Sequence, residues 1–182
     1  VVIWAFMILK HSLTSSTKKL RKVLNDQSND ILTSFIDLSE IMGRQKGNLT
    51  EEKVLKALLN AIDETISQNK KSYKKWIGKI TSTIKKLELK NYDFSDNVNV
   101  FDIPIPVISD NYDKLSKFVM ELPQKIVDSS NDITGFIIVI DEFQLLKNIE
   151  DPEAFFWLMR SFTQKQFNVG YVFTGSVSKT AD

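Results

Sequence analysis

The feature that most narrows the fold is an unbroken apolar run, Gly135-Phe136-Ile137-Ile138-Val139-Ile140, which ends abruptly on Asp141-Glu142. A run this short, without apolar/polar alternation, suits a strand buried on both faces inside a parallel sheet. Three further runs have the same character: Val1 to Leu9, Ile31 to Leu38, and Val169 to Thr174, the last closed by Gly175-Ser176. Between them the apolar residues fall at helical spacing. Strands apolar throughout, alternating with helices, predict an α/β domain whose mostly parallel sheet carries helices on both faces.

The helical segments have recognisable starts. Ser12 or Thr14 can cap a first helix whose apolar face is Leu13, Leu20, Val23 and Leu24. After the second strand, Gly43 and Gly47 punctuate a loop. Thr50-Glu51-Glu52 then offers a capping hydroxyl with acids in the first turn, where the helix dipole favours them. Val54, Leu55, Leu58, Leu59, Ile62 and Ile66 continue that helix. Past a polar break at Gln68-Asn69, Tyr73, Trp76, Ile77, Ile80, Ile84 and Leu87 resume the spacing. A helical hairpin and one long kinked helix fit this pattern equally well, and we read 49–90 as a helical insertion. From Asn91 to Asp113 the pattern lapses into Asn, Asp and Ser with Pro104 and Pro106, an irregular loop or a short edge strand. Residues 112–128 are helical through Leu115, Phe118, Val119, Leu122 and Ile126, with Pro123 arguing for a kink or a break. Ser129 to Asp132 reads as a loop. Asp151-Pro152-Glu153 opens the last helix, whose apolar face is Phe155, Phe156, Leu158, Met159 and Phe162.

Composition removes several function classes. With no cysteine there is neither a disulfide scaffold nor a thiolate zinc site, and the single histidine, His11, leaves no histidine cluster. Any metal must be held by oxygen. The longest apolar run, Val1 to Leu9, has nine residues, against about 20 for a membrane-spanning helix. It is not preceded by a basic segment, and Lys10-His11 stands where a signal peptide would have a cleavage site. The expectation is a cytoplasmic protein with no membrane contact. The 182 residues suffice for one domain, and a start at valine in mid-strand pattern is what a piece of a longer protein would show. The net charge of +1 hides an asymmetry: residues 1–91 carry 17 Lys+Arg against 9 Asp+Glu (+8), and residues 92–182 carry 7 against 14 (−7).

In a parallel sheet, ligands sit outside the carboxyl ends of the strands, so the residues just past each apolar run matter most. Two adjacent carboxylates at the mouth of a buried strand are costly unless a cation or a water network meets them. Mg²⁺ suits such a place, because it takes oxygen ligands, keeps several waters and is commonly held by one carboxylate together with nucleotide phosphates. Successive residues in extended chain point opposite ways, so Asp141 and Glu142 can divide the work, one toward the metal and one toward an attacking water. The plainer alternative is an acidic pair that ends a strand and solvates a loop.

Phe136-Ile137-Ile138-Val139-Ile140-Asp141-Glu142-Phe143-Gln144 resembles the Walker B strand of the archaeal-type ATPases. These are a branch of the AAA-like P-loop NTPases in which an apolar strand ending Asp-Glu-Phe-Gln recurs. A helix through Phe156-Trp157-Leu158-Met159-Arg160 and a strand ending Phe173-Thr174-Gly175-Ser176 resemble the next helix and the fourth strand of that family. The likeness covers 135–178 well and 31–38 loosely. It implies a three-layer P-loop NTPase-like fold and Mg²⁺-dependent hydrolysis of ATP. Asp141 would coordinate Mg²⁺, Glu142 would orient the hydrolytic water, and Thr174 or Ser176 would sense the γ-phosphate. Arg160 would be either a finger or a surface cation. A family member would continue past Asp182 with a further strand and a helical lid, so the resemblance makes 1–182 a single incomplete domain without its lid.

A phosphate loop reads G-x-x-x-x-G-K-[ST], glycines letting backbone N–H groups wrap the phosphates and lysine reaching the outer ones. The corresponding slot here runs from Trp4 to Leu13. Lys10 and Ser12 echo the motif's end, whereas Trp4 and Leu9 occupy both glycine positions and His11 stands where a hydroxyl should hold Mg²⁺. Non-glycine residues in left-handed conformations cost about 1–2 kcal/mol each. A loop upstream of Val1, a degenerate loop and a corrupted one are all compatible with this departure.

Between Gln68 and Lys90 stand eight lysines, Lys70, Lys71, Lys74, Lys75, Lys79, Lys85, Lys86 and Lys90, against the single acid Glu88. With Tyr73 and Trp76 interleaved, they could form a nucleic-acid surface. Core spacing of the same aromatics favours a solvated lysine face over buried rings, and the basic half facing the acidic half is another use for it. The alternative to an ATPase is thus a nucleotide-free module of the same fold that meets a protein or nucleic-acid partner through the Lys70–Lys90 face. Assembly into an oligomer is compatible with either.

Overall fold

The computed structural model describes residues 4–8, 30–44, 49–68, 99–100, 103–104 and 112–175. Its centre is a sheet of four parallel strands, β1 (Trp4–Ile8), β2 (Ile31–Asp37), β5 (Gly135–Asp141) and β6 (Val169–Gly175), in the order β1-β6-β5-β2. All four apolar runs are therefore strands of one parallel sheet, as their pattern predicts. A separate two-residue ladder, β3 (Asn99–Val100) against β4 (Ile103–Pro104), is antiparallel and lies outside that sheet, where a proline strand belongs.

Four α-helices are described: α1 (Leu38–Arg44), α2 (Glu51–Gln68), α3 (Tyr112–Ser129) and α4 (Pro152–Thr163). Thr50 caps α2 by accepting from Lys53 N at 3.3 Å, and Asp151 caps α4 by accepting from Ala154 N at 3.0 Å with Pro152 beside it. The expected starts are thus real caps. Leu32 and Ile36 of β2, Phe136, Ile138 and Ile140 of β5, and Tyr171 and Phe173 of β6 join the apolar faces of α2, α3 and α4 in one buried core. Ser34 lies in the same face, fully buried, and its hydroxyl meets Thr65 Oγ1 at 2.8 Å and Ala61 O at 3.2 Å. Thr65 in turn donates to Ala61 O at 2.8 Å or Thr33 O at 3.3 Å. A satisfied polar pair inside an apolar layer fixes where α2 crosses β2, because sliding the helix would bury these hydroxyls unpaired. Burial also pushes the Tyr171 hydroxyl above its ordinary range, with Gln166 beside it.

Three local readings are corrected. The second strand stops at Asp37 rather than Leu38, and a short helix replaces the expected loop. The reason is Asp37, whose Oδ1 accepts from Ser39 N at 2.8 Å and Ser39 Oγ at 2.6 Å and so caps α1. Of the kink or break expected at Pro123, the break does not occur, and α3 runs from Tyr112 to Ser129 through it. Proline removes the donor that would reach the Val119 carbonyl, but Val119, Met120, Leu122 and Ile126 are buried on both sides of it. Packing overrides the local preference; the next carbonyl, that of Met120, accepts from the Gln166 side chain. The third correction, at Glu142, belongs to the site.

The first helix expected over Ser12 to Leu24, the helical continuation from Tyr73 to Leu87 and the Lys70–Lys90 face lie outside the described residues. No helix among the described residues is long and apolar enough to cross a membrane.

Candidate functional site

The carboxyl ends of β5 and β6 lie side by side, because Ile140 pairs with Phe173 in the ladder. The next residues, Asp141 and Thr174, therefore meet: Thr174 Oγ1 donates to Asp141 Oδ1 at 2.6 Å. Both are buried, at 3% exposure. The same Oδ1 accepts a second bond from Glu142 N at 2.9 Å. A carboxylate this deep is tolerable only with such donors, and charge-assisted bonds of this kind are about twice as strong as neutral ones.

Glu142 is not extended. Its backbone is left-handed, φ 54° and ψ 38°, so Asp141 and Glu142 diverge through a turn and not through strand alternation. The chain then enters a 3₁₀ segment, Phe143–Asn148, whose first bond runs from Leu145 N to Glu142 O at 2.9 Å. Leu146 plugs this segment into the core. Phe143 packs on Phe173, ring centroids 4.3 Å apart, and on Phe156 at 5.4 Å. Glu142 is thus half-buried on a turn held from both sides. Gln144 Nε2 donates to Glu142 Oε2. The Gln144 amide also lies against Gly175, where a Cβ would collide with its oxygen.

At the other edge of β6, Met7 of β1 is in register with Thr174 and Ile8 with Gly175. The carboxyl end of β1, two residues before Lys10 in the chain, therefore lies at the same end of the sheet as Asp141. Lys10, His11, Ser12 and Ser176 lie outside the described residues. Trp4 to Ile8, half of the slot compared with a phosphate loop, is strand. Arg160 is exposed on α4, its guanidinium 5.3 Å from the centre of the Trp157 ring.

Among the described residues, no group of three or more His, Asp or Glu could hold a metal by itself. The local arrangement offers one buried carboxylate, one hydroxyl, and one carboxylate on a strained turn. Sequence reasoning found Asp141, Glu142 and Thr174 but gave no role to Gln144 or Gly175. The signal for the pair was present in Gly175, a glycine ending a buried strand, where a close approach is a standard reason for the missing side chain.

No known family's sequence profile matches the chain, and no curated protein matches it. Among solved structures it resembles the Walker-type ATPase Paby2304 of Pyrococcus abyssi, with a TM-score of 0.52 and 17% identity, over 94% of this chain and 40% of that one. The likeness shows the fold, which is P-loop NTPase-like: a parallel α/β sheet flanked by helices. The chain spans 40% of the length of that ATPase.

Proposed function

We propose that the chain is an ATP-binding domain of the archaeal AAA-like type, whose Mg²⁺-dependent hydrolysis of ATP drives a conformational change. The observation that carries this reading is the buried Asp141, gripped by Thr174 across the strand boundary and followed at once by a carboxylate on a left-handed turn. Non-glycine residues in that conformation cost about 1–3 kcal/mol and cluster where function needs them.

The donor set fits Mg²⁺. Asp141 Oδ1 is committed to two hydrogen bonds, which fixes the carboxylate and leaves Oδ2 as the oxygen for a cation. One carboxylate, waters and phosphates are an ordinary Mg²⁺ shell. Bound there, the ion would neutralise charge on the phosphates of ATP. Glu142 would accept a proton from the attacking water, and Thr174, with Ser176, would report the γ-phosphate to β6. Lys10, His11 and Ser12 would face the phosphates from the end of β1. A specific observation favours the second reading, a nucleotide-free module binding a partner through Lys70–Lys90: Trp4 to Ile8, half of the slot compared with a phosphate loop, is strand, and Leu9 stands at that motif's second glycine position.

The test is ATP turnover with Mg²⁺, wild type against Glu142→Gln, alongside binding of a labelled ATP analogue. Removing a positioned base costs about 10²–10⁴-fold in rate, and binding should survive. Near-normal turnover in Glu142→Gln refutes the assignment of the base. Neither binding nor turnover in the wild type would favour the second reading.

A further inference from the structure

We propose that Gln144 is a positioning residue that holds the Glu142 carboxylate at the end of β5 and ties it to the end of β6 through Gly175. The inference rests on the reading of Glu142 as the base and goes beyond it, since it assigns the part that aims that base.

Glu142 has a fixed backbone and a long, rotatable side chain. Its left-handed φ and the 3₁₀ segment after it set the direction of the Cα–Cβ bond, while the rotatable bonds beyond would let the carboxylate wander. Catalysis by a base needs its oxygen held within hydrogen-bond reach of the water. Gln144 supplies the restraint: its amide nitrogen donates to Glu142 Oε2 from a turn already anchored by Leu146 and Phe143. The far side of the same amide leans on Gly175, at a separation that leaves no room for a Cβ.

Gly175 directly follows Thr174, the residue that grips Asp141. One strand end therefore carries both the hydroxyl on the metal-side carboxylate and the surface that seats the amide on the base. A displacement of the β6 end would be felt at Asp141 through Thr174 and at Glu142 through Gln144.

The chemistry gives two independent handles. Gln144→Ala deletes the donor. Gly175→Ala adds a methyl group where the amide oxygen sits, and because that atom is the tip of a flexible side chain, the glutamine must swing away while the strand stays. Neither change touches Glu142 itself.

The experiment has two arms. In the first, the side-chain amide of Gln144 is followed by ¹H–¹⁵N NMR in the nucleotide-free protein and assigned by its loss in Gln144→Ala. A proton held by Glu142 should resonate apart from the exposed glutamine amides and exchange slowly, and it should collapse onto them in both Glu142→Ala and Gly175→Ala. An amide already at the exposed position in the wild type, or unmoved by Gly175→Ala, overturns the proposal. In the second arm, ATP turnover of Gln144→Ala and Gly175→Ala should fall about 10-fold or more in kcat at unchanged KM, the pattern of an interaction that matters in the transition state. A wild-type kcat in Gln144→Ala, with the amide signature intact in the native protein, overturns the positioning role while leaving the base assigned. No turnover in the wild type, whatever the amide shows, overturns the reading of Glu142 and the catalytic role of Gln144 with it.

Discussion

Strands β2 and β5 run side by side in register, and both end in aspartate, Asp37 opposite Asp141. The two residues share a type, a position and a sheet edge, yet only one is gripped from the neighbouring strand. Asp37 closes the outermost described strand; it is half-buried and turns to its own chain, accepting from the amide and hydroxyl of Ser39 to cap α1. Asp141 has a strand on either side, is buried, and takes its donor from the neighbouring strand. After Asp37 the chain continues into a right-handed helix, and after Asp141 it reverses through left-handed Glu142. What sets one strand-end aspartate apart from the other is its neighbour across the sheet and the residue after it, and register alone is not enough.

Removing each aspartate in turn is the harshest way to break this contrast. Asp141→Ala should weaken the Mg²⁺-dependent part of ATP-analogue binding by at least about 100-fold, since even the partners of a metal ligand are worth about 10–100-fold. Asp37→Ala should leave that binding unchanged. Titrations with and without Mg²⁺ read both, and equal losses would erase the distinction between the two strand ends.

Stability sharpens it further. Thr174→Val keeps the shape and removes the donor to a buried carboxylate, which should cost about 2 kcal/mol in urea unfolding. Asp37→Ala removes a half-exposed cap and should cost about 1 kcal/mol. The expected order, Thr174 above Asp37, is the checkable content. A reversal would mean that Asp141 does not depend on the neighbouring strand.

What could be read in the sequence divides along the same line between local and cross-strand causes. Apolar runs such as Phe136 to Ile140 declare a doubly buried strand whatever their neighbours, and Thr50 and Asp151 declare helix starts because a cap needs only its own next turn. Asp141 and Glu142 were legible as a pair at a strand mouth. Leu38 hid the end of β2, since an apolar residue continues a strand pattern and Asp37 acts as a cap only once the chain has turned. The break allowed for at Pro123 did not occur, because burial of its helix on both sides outweighs one lost bond. The left-handed turn at Glu142 had no sequence signal, as glutamate does not favour it. The Gln144 contact with Gly175 joins two elements and shows only after folding.

The smallest effect tests whether the turn after Asp141 is strained for function. Glu142 adopts φ 54° without being glycine, asparagine or aspartate, the residues that tolerate this region. Glycine there would remove about 1 kcal/mol of strain, partly offset by the greater freedom glycine gives the unfolded chain and by the lost bond from Gln144. Glu142→Gly should therefore raise stability slightly, by about 0.5 kcal/mol, in a protein that no longer turns over ATP. Glu142→Ala, which keeps the Cβ and loses the same carboxylate, removes the carboxylate's share from the comparison: it should not gain stability, so the gap between the two variants is the strain less the unfolded-chain freedom that glycine adds. Paired urea melts of these variants read that gap. A Glu142→Gly variant less stable than Glu142→Ala would show that the left-handed turn costs less than the roughly 0.4–1 kcal/mol that glycine's freedom takes from the folded state, and the backbone after Asp141 would then hold too little strain to set it apart from the helix that begins after Asp37.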